Sequence, residues 1–303
     1  MLHTYKIATL NINGTATYTK MSMLGDFLKR QDIDIALLQE MTHNDFTNIH
    51  EYNAIVNEGT NKRVTAILVK TGLQIQDIKR IPSGRGIAAM FHGIWIINIY
   101  TPSGVEKRME REYFFNTDVT FLLPTDSTEV LIAGDFNCVI SQADCTGKPN
   151  MSRALKTFIR GMGHRDVWTT HPHIPAYTHY TNVGASRIDR IYITNPLQNH
   201  KKGVETVAAA FSDHFAVIIQ MELDEINMLH KARVWRMNPT LLEESFFRGI
   251  MKEQWGKWQK NKRNYLNKVM WWDMSHRKFN RPFNVKVLRE TATGETWKTI
   301  TTT

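Results

Sequence analysis

The chain has 303 residues, of which 42% are apolar and 22% are charged. This balance excludes an intrinsically disordered chain and allows one large core or two modest ones. No apolar run approaches the roughly 18 residues of a membrane span, so we expect a soluble protein with no membrane partner. The two cysteines, Cys138 and Cys145, lack metal-site spacing, which favours a reducing compartment and structural roles for both.

Hydrophobic patterning predicts a strand-rich domain with few helices. Short apolar or alternating runs predict strands, which lie in chain order at 5–12, 34–38, 64–69, 87–91, 94–100, 129–133, 187–193 and 215–221. Helices are predicted at 21–31, 104–123 and 152–162, and a capping box of Ser103 and Glu106 is expected to open the second. Because a single parallel sheet needs a helix between most strand pairs, the pattern favours packed sheets flanked by helices.

One apolar run ends abruptly in polar residues. The run 130–133 is followed by Gly134, Asp135 and Asn137. The last two side chains, two positions apart, are predicted to project to the same side. Asp and Asn next to Gly are also common turn formers, so this motif alone is equally explained by a turn.

Similar polar clusters occur at six strand boundaries. In chain order they contain Asn11 and Asn13, Gln39 and Glu40, Tyr100, Asp135 and Asn137, Asp189, and Asp213 and His214. These residue types bind hard divalent cations, orient water and transfer protons. Acids at the ends of apolar strands are hard to explain otherwise, because they risk burial without a partner. The sequence therefore indicates a site assembled from strand ends.

The net charge is concentrated at one end of the chain. Residues 1–224 contain 22 Lys and Arg and 22 Asp and Glu, so the net charge of +9 lies in residues 225–303, the basic tail. The basic tail also carries six of the eight tryptophans. Binding to nucleic acid and packing on a further domain both explain this mixture. We place a domain boundary near Asp224 and predict an amphipathic helix over 240–260.

Several short motifs occur in a fixed order. They are Leu-Asn-Ile-Asn-Gly at 10–14, Gln-Glu at 39–40, Ile-Tyr-Thr-Pro at 99–102, Gly-Asp-Phe-Asn at 134–137 and Ser-Arg-Ile-Asp at 186–189. With Ser-Asp-His at 212–214, this set resembles the endonuclease/exonuclease/phosphatase superfamily over about residues 3–223. The residues within these motifs look most like those of the endonucleases of non-LTR retrotransposons. Val-Trp-Arg-Met-Asn-Pro at 234–239 is similar to the linker that joins such endonucleases to their reverse transcriptase.

The resemblance implies a fold for each part of the chain. Residues 1–224 are expected to form an α/β domain, a four-layer sandwich of two packed mixed β-sheets flanked by helices, as in the DNase I-like fold. Residues 225–303 are expected to form a mostly helical C-terminal extension that leads to a reverse transcriptase domain.

The resemblance also implies a metal site and a water site. Glu40 is the implied principal Mg²⁺ ligand, helped by Asn11 and Asp213, and Mn²⁺ is the alternative ion. Asp135 is the implied base that activates the attacking water, with Asn137 holding the water or a phosphate oxygen. Mg²⁺ usually takes one or two protein carboxylates, which suits so few acids.

Further residues are assigned to the phosphate by the same resemblance. His214 is expected to contact the scissile phosphate, with Asp189 accepting the other ring N–H. Tyr100 is expected to hydrogen-bond the phosphate or assist the leaving oxygen. Ser186 and Thr178 are expected to contact phosphate or DNA backbone. Residues 177–185 are predicted to form a hairpin that reaches toward DNA or is simply exposed.

The leading functional hypothesis is a Mg²⁺-dependent endonuclease that nicks target DNA to prime reverse transcription. A phosphatase of the same superfamily, acting on phosphoinositides or other phosphomonoesters, is one alternative. A decayed copy that only binds nucleic acid is another. The expected partners are DNA, element RNA through the basic tail, and a downstream reverse transcriptase domain, and a nuclear location follows from the inferred substrate.

Overall fold

The computed structural model describes residues 2–14, 17–41, 46, 49–59, 64–125, 129–170 and 177–224. The predicted helix at 240–260 and the rest of the basic tail lie outside these residues. In chain order the elements are β1 Leu2–Asn11, α1 Tyr18–Arg30, β2 Ile35–Met41, β3 Tyr52–Glu58, β4 Val64–Lys70, β5 Gln76–Arg80, β6 Gly86–Phe91, β7 Ile94–Tyr100, α2 Arg108–Tyr113, β8 Val130–Asp135, α3 Arg153–Gly161, β9 His164–Asp166, β10 His179–Thr181, β11 Gly184–Ser186, β12 Asp189–Thr194, β13 Lys201–Ala208 and β14 Phe215–Asp224.

The strands form two six-stranded sheets and one small hairpin. The first sheet has the order β13-β14-β1-β2-β4-β3, the second has the order β5-β6-β7-β8-β12-β9, and β10 pairs with β11. Each large sheet contains one parallel pair, β1 with β2 and β7 with β8. The other neighbours are antiparallel. Both sheets are therefore mixed, which confirms the prediction.

Alternate residues of each central strand pack into different layers. Ile7 of β1 and Ile96 of β7 belong to the core between the two sheets. Their neighbours Ala8 and Ile97 belong to outer cores, which α1 covers on the first sheet and α3 covers on the second. This alternation follows from the two-residue period of a strand. The resulting order of helix, sheet, sheet and helix confirms the four-layer sandwich.

The second predicted helix begins later than expected and its predicted capping box is wrong. After α2 the chain stays helical, as a π-helical turn over Phe114–Asp118 and a 3-10 turn over Val119–Phe121. The α-helix begins at Arg108, and its N-cap residue Lys107 makes no side-chain capping bond. Gly104 has φ +92, which is not helical. The buried guanidinium of Arg111 binds the carbonyl oxygens of Pro102 and Gly104 at 2.8 and 3.0 Å. These bonds hold the preceding segment as a loop.

A buried polar link joins the two sheets close to their shared edge. The Nε2 of Gln39 donates to the Oδ1 of Asn98 at 2.7 Å. In return, the Nδ2 of Asn98 donates to the carbonyl oxygens of Leu38 and Ala66, both at 2.9 Å. Because buried polar groups need partners, these bonds set the position of β7 relative to β2.

None of the helices in the described ranges has the length and apolar character needed to cross a membrane.

Candidate active site

The two parallel strand pairs end on the same side of the sandwich. Asn11 ends β1, Tyr100 ends β7 and Asp135 ends β8. Asp189 opens β12 directly opposite Asp135. His214 immediately precedes β14, which pairs with β1. The polar clusters predicted from separate strand boundaries are therefore brought to one edge.

Asp135 lies at the centre of this edge and is 1% exposed. Its Oδ2 accepts bonds from the Nδ2 atoms of Asn11 at 2.9 Å and Asn137 at 3.0 Å. Burial raises the pKa of Asp135 to about 7, with a further contribution from the carboxylate of Asp189 and opposition from His214 and the amide donors. A carboxyl group with this pKa exchanges a proton near neutral pH, as a base acting on water requires.

The backbone around Asp135 adopts conformations that few residues tolerate. Gly134 has φ +146, and a Cβ at this position would lie 1.9 Å from the carbonyl oxygen of Ile99 on β7. Asn137 has φ +47, a region in which Asn is enriched. Its backbone N–H donates to the Oδ1 of Asp135 at 2.8 Å, forming an Asx turn. The turn interpretation of this motif is therefore correct, and the turn orients the candidate base.

His214 is oriented by a buried acid. Its Nδ1 lies 2.8 Å from the Oδ2 of Asp189, which is 1% exposed. Burial opposes the imidazolium, but the charge and hydrogen bond of Asp189 raise the pKa of His214 to about 10. The hydroxyl of Thr178 accepts the backbone N–H of Asp189 at 3.0 Å. The Nδ1 atom is thus engaged, and Nε2 is the ring nitrogen available to a phosphate.

Glu40 is turned into the site by a strand bulge. Strand β2 gains one residue relative to β4 between Leu38 and Met41, and Glu40 has φ +57. Its Oε1 accepts bonds from the hydroxyl of Tyr100 at 2.7 Å and from the Nδ2 of Asn11 at 3.2 Å. Left-handed backbone at a non-glycine residue is strained and occurs often at functional sites.

Carboxylates suit a hard divalent cation, but the side-chain oxygen of Asn11 points away from the carboxylates of this site. Its Nδ2 lies between Glu40 and Asp135, whereas its Oδ1 accepts the backbone N–H of Asn13 at 2.9 Å. In this arrangement Asn11 positions two carboxylates. Its role as a metal ligand stays a prediction and requires the side chain to turn.

Asp213 is held by different neighbours from those of Glu40. Its Oδ1 accepts a bond from the Nδ2 of Asn13 at 2.9 Å. Its Oδ2 lies 3.6 Å from the Nε2 of His179. The predicted sharing of one ion by Asp213 and Glu40 stays a prediction.

The predicted hairpin is confirmed. Strands β10 and β11 pair antiparallel, and Val183 at the tip is 91% exposed. Ser186 is half-buried, and its carbonyl accepts the backbone N–H of Thr178 at 2.9 Å. Thr178 itself is buried behind Asp189. Contacts of Ser186 and Thr178 with substrate stay predictions.

A buried ion-pair cluster behind the site was not predicted. Arg187 and Arg190, which flank Asp189 in sequence, each bind both Asp144 and Asp166, with N to O distances of 2.6–2.9 Å. The side chain of Arg190 is fully buried. The sequence signal that could have indicated this cluster is Arg190 within an apolar strand, because a buried charge needs a charged partner.

The sandwich of two mixed sheets, with a site at their shared edge, defines the DNase I-like fold class. Residues 8–214 match the Endonuclease/Exonuclease/phosphatase family. The chain belongs to that family, and its match spans the strand-end residues from Asn11 to His214.

Individual proteins are similar to this chain in sequence or in fold. The chain is 26% identical over 297 residues to the Transposon TX1 uncharacterized 149 kDa protein of Xenopus laevis, in an alignment that covers 88% of this chain and 22% of that protein. An AP endonuclease from Archaeoglobus fulgidus aligns with a TM-score of 0.62 and 21% identity, over 72% of this chain and 99% of that one. The endonuclease domain of TRAS1, a telomere-specific non-LTR retrotransposon, aligns with a TM-score of 0.53 and 12% identity, over 72% and 98%.

Proposed function

We propose that this chain is a divalent-metal-dependent endonuclease that hydrolyses phosphodiester bonds in DNA. The observation that carries the proposal is that two groups of hydrogen-bonded residues lie together at one edge of the sandwich. One group contains Asn11, Glu40 and Asp135, and the other contains Asp189 and His214. Asn11 joins Glu40 to Asp135. Ligand atoms of Asp135, Asp189 and His214 all lie within 4.8 Å of one another. Carboxylates that can hold a cation therefore adjoin a proton acceptor and a cationic histidine.

Glu40 is the residue assigned to hold the cation, with Asp135 beside it. Carboxylate oxygens suit Mg²⁺, and Mn²⁺ accepts the same ligands. The bound cation would supply charge neutralisation at the phosphate.

The residues around the phosphate have separate roles in the proposed reaction. Asp135 accepts a proton from the attacking water as the new bond to phosphorus forms and the bond to the leaving sugar oxygen breaks. The amide N–H groups of Asn137 bind Thr101 and Asp135, so its Oδ1 is the atom that can orient this water. His214 donates from Nε2 to a phosphate oxygen as charge develops, and Tyr100 assists the phosphate or the leaving oxygen.

We further infer that the nick primes reverse transcription of a non-LTR retrotransposon. The similarity to the TX1 transposon protein and to the TRAS1 endonuclease domain supports this inference. This chain spans 22% of the length of the TX1 protein. A reverse transcriptase partner and a nuclear location are therefore proposed together with the priming role.

The basic tail is proposed to supply nucleic-acid affinity, to DNA and to element RNA. Residues 1–224 are electrically neutral, whereas the basic tail carries the full net charge. Replacing five of its Lys and Arg residues with Gln should reduce the slope of log K against log salt by as much as about 4.5, since each lost phosphate contact in duplex DNA contributes about 0.9. An unchanged slope would assign the tail to packing instead.

Nicking of supercoiled plasmid tests the proposed activity. With Mg²⁺ the intact chain should relax plasmid, and EDTA should stop the reaction. Asp135→Ala and His214→Ala should each slow nicking by about 10²–10⁴-fold, the usual contribution of a proton-transfer group. Asp26→Ala and His50→Ala are matched controls, because both side chains are exposed on the surface. Equal nicking by all five chains would refute the site assignment. Phosphate release from phosphomonoesters without nicking would favour a phosphatase.

A further inference from the structure

His179 is a second imidazole at the edge of the site, and the proposed reaction gives it no role. It opens β10 and forms an isolated bridge to His214. The two rings lie 4.5 Å apart between centroids, at 34°. The His179 side chain is 22% exposed, so solutes can reach it.

We propose that His179, Asp213 and His214 form a binding site for a divalent transition metal, of which Zn²⁺ is the expected ion. One ligand atom from each of the three residues lies within 4.8 Å of the others. The Nε2 of His179 and the Oδ2 of Asp213 are 3.6 Å apart. Ligands about 2.0–2.1 Å from a tetrahedral Zn²⁺ are separated by roughly 3.4 Å, so this pair needs little movement.

The other polar atoms of two ligands are already engaged. The Nδ1 of His214 binds Asp189 at 2.8 Å, which leaves Nε2 for a metal. This is the carboxylate–histidine arrangement that orients metal ligands in proteins. The Oδ1 of Asp213 binds the side chain of Asn13 at 2.9 Å, which leaves Oδ2 beside His179. The ligand atoms of His214 and Asp213 are therefore preoriented by their neighbours.

The donor types separate this site from the one at Glu40. Two imidazole nitrogens and one carboxylate oxygen suit Zn²⁺, Co²⁺ and related ions. The carboxylate of Glu40, an oxygen donor, suits Mg²⁺ instead. The chain is thus predicted to bind two classes of cation at adjacent places.

A consequence for activity rests on the proposed function. A metal on the Nε2 of His214 occupies the atom assigned to the phosphate, and it displaces the proton that the cationic ring carries there, which passes to solvent. Zn²⁺ is therefore expected to inhibit nicking in the presence of excess Mg²⁺.

Direct metal binding to the full chain is the primary test. Metal-free protein is titrated with Co²⁺ in excess Mg²⁺, visible absorption is recorded, and bound Co²⁺ is displaced with Zn²⁺. His179→Phe and Asp213→Asn should each weaken Co²⁺ binding by at least about tenfold, because loss even of outer-shell partners weakens metal binding by about 10–100-fold. His50→Phe controls for loss of a surface histidine, and Glu40→Gln should retain the Co²⁺ signal. Circular dichroism confirms folding of each variant.

Co²⁺ affinity that is equal in wild type and both folded ligand variants would overturn the site. Zn²⁺ inhibition is then compared after each chain is normalised to its own rate with Mg²⁺. Inhibition should require at least about tenfold more Zn²⁺ for His179→Phe than for wild type. If Co²⁺ binds through His179 but plasmid is never nicked, the metal site stands and the endonuclease proposal fails.

Discussion

Replacing Gly134 with alanine should be severely destabilising, because this glycine lies against the backbone of the neighbouring strand. An added Cβ would be 1.9 Å from the carbonyl oxygen of Ile99, 2.8 Å from its carbonyl carbon and 3.0 Å from its nitrogen. All three are backbone atoms of β7, a central strand of its sheet. No side-chain rotation can relieve these contacts.

The magnitude follows from two separate effects. Ordinary contact requires about 3.4 Å or more, so β7 and β8 must separate by over 1 Å or the backbone must change conformation. Overpacking in a core typically costs about 1–3 kcal/mol, and the φ of +146 at Gly134 adds strain that alanine cannot avoid. We expect a loss of about 4 kcal/mol in the free energy of unfolding.

Gly161→Ala provides a control for which the expected change in the free energy of unfolding has the opposite sign. Gly161 is the last residue of α3, and nothing lies within 4 Å of an added Cβ. Alanine in place of glycine in a helix stabilises by up to about 1 kcal/mol. Urea unfolding of both variants measures the two changes, and plasmid nicking measures displacement of Asp135. A Gly134→Ala protein within about 1 kcal/mol of wild type would refute the reasoning.

The structure also predicts the direction in which three further perturbations change activity or stability. Asp189→Asn should slow nicking by about 10²–10⁴-fold and lower the pKa of His214 measured by NMR, because the charged partner of the ring is lost; an unchanged rate and pKa would contradict the pairing. Burial lowers the pKa of His164 to about 4, so between this pH and the unfolded pKa of 6.5 the unfolded chain binds a proton that the folded protein does not. The free energy of unfolding should therefore fall by about 3 kcal/mol as pH falls from 6.5 toward 4, and urea unfolding should show this loss in wild type and not in His164→Phe. Arg190→Met should reduce the free energy of unfolding by about 3–5 kcal/mol, because its two acidic partners stay buried; a stability equal to wild type would show that Arg187 alone neutralises them.

The central strands could be predicted from the sequence, and the edge strands could not. Strands β1, β2, β4, β6, β7, β8, β12 and β14 are apolar on both faces and overlap the predicted runs. The strands missed in the two large sheets are β3, β5, β9 and β13, which are the edges of those sheets. Edge strands keep one side in solvent, and β5, Gln-Asp-Ile-Lys-Arg, is largely exposed. Their pairing is set by the neighbouring strand rather than by their own apolar pattern.

The site was predictable as a set of residues, but its contacts were not. Strand ends indicated which polar residues would meet, and the pairing of His214 with Asp189 is observed. The orientation of Asn11 depends on the Asx-type bond to Asn13, which spacing does not reveal. His179 was not predicted as a ligand, because its proximity to His214 is created by pairing across 35 residues of sequence.

The charges at the site are consistent with the proposed use of a cation and of the basic tail. Carboxyl groups of Glu40, Asp135, Asp189 and Asp213 gather at one edge around the histidine pair. An anionic phosphodiester approaching this edge meets several carboxyl groups, in a domain with no net charge of its own. In the proposed reaction, a bound cation would offset the repulsion between these carboxylates and the phosphate locally, and contacts of the basic tail to other phosphates would add attraction at a distance. The catalytic residues and the residues that supply affinity are therefore expected to lie in different parts of the chain.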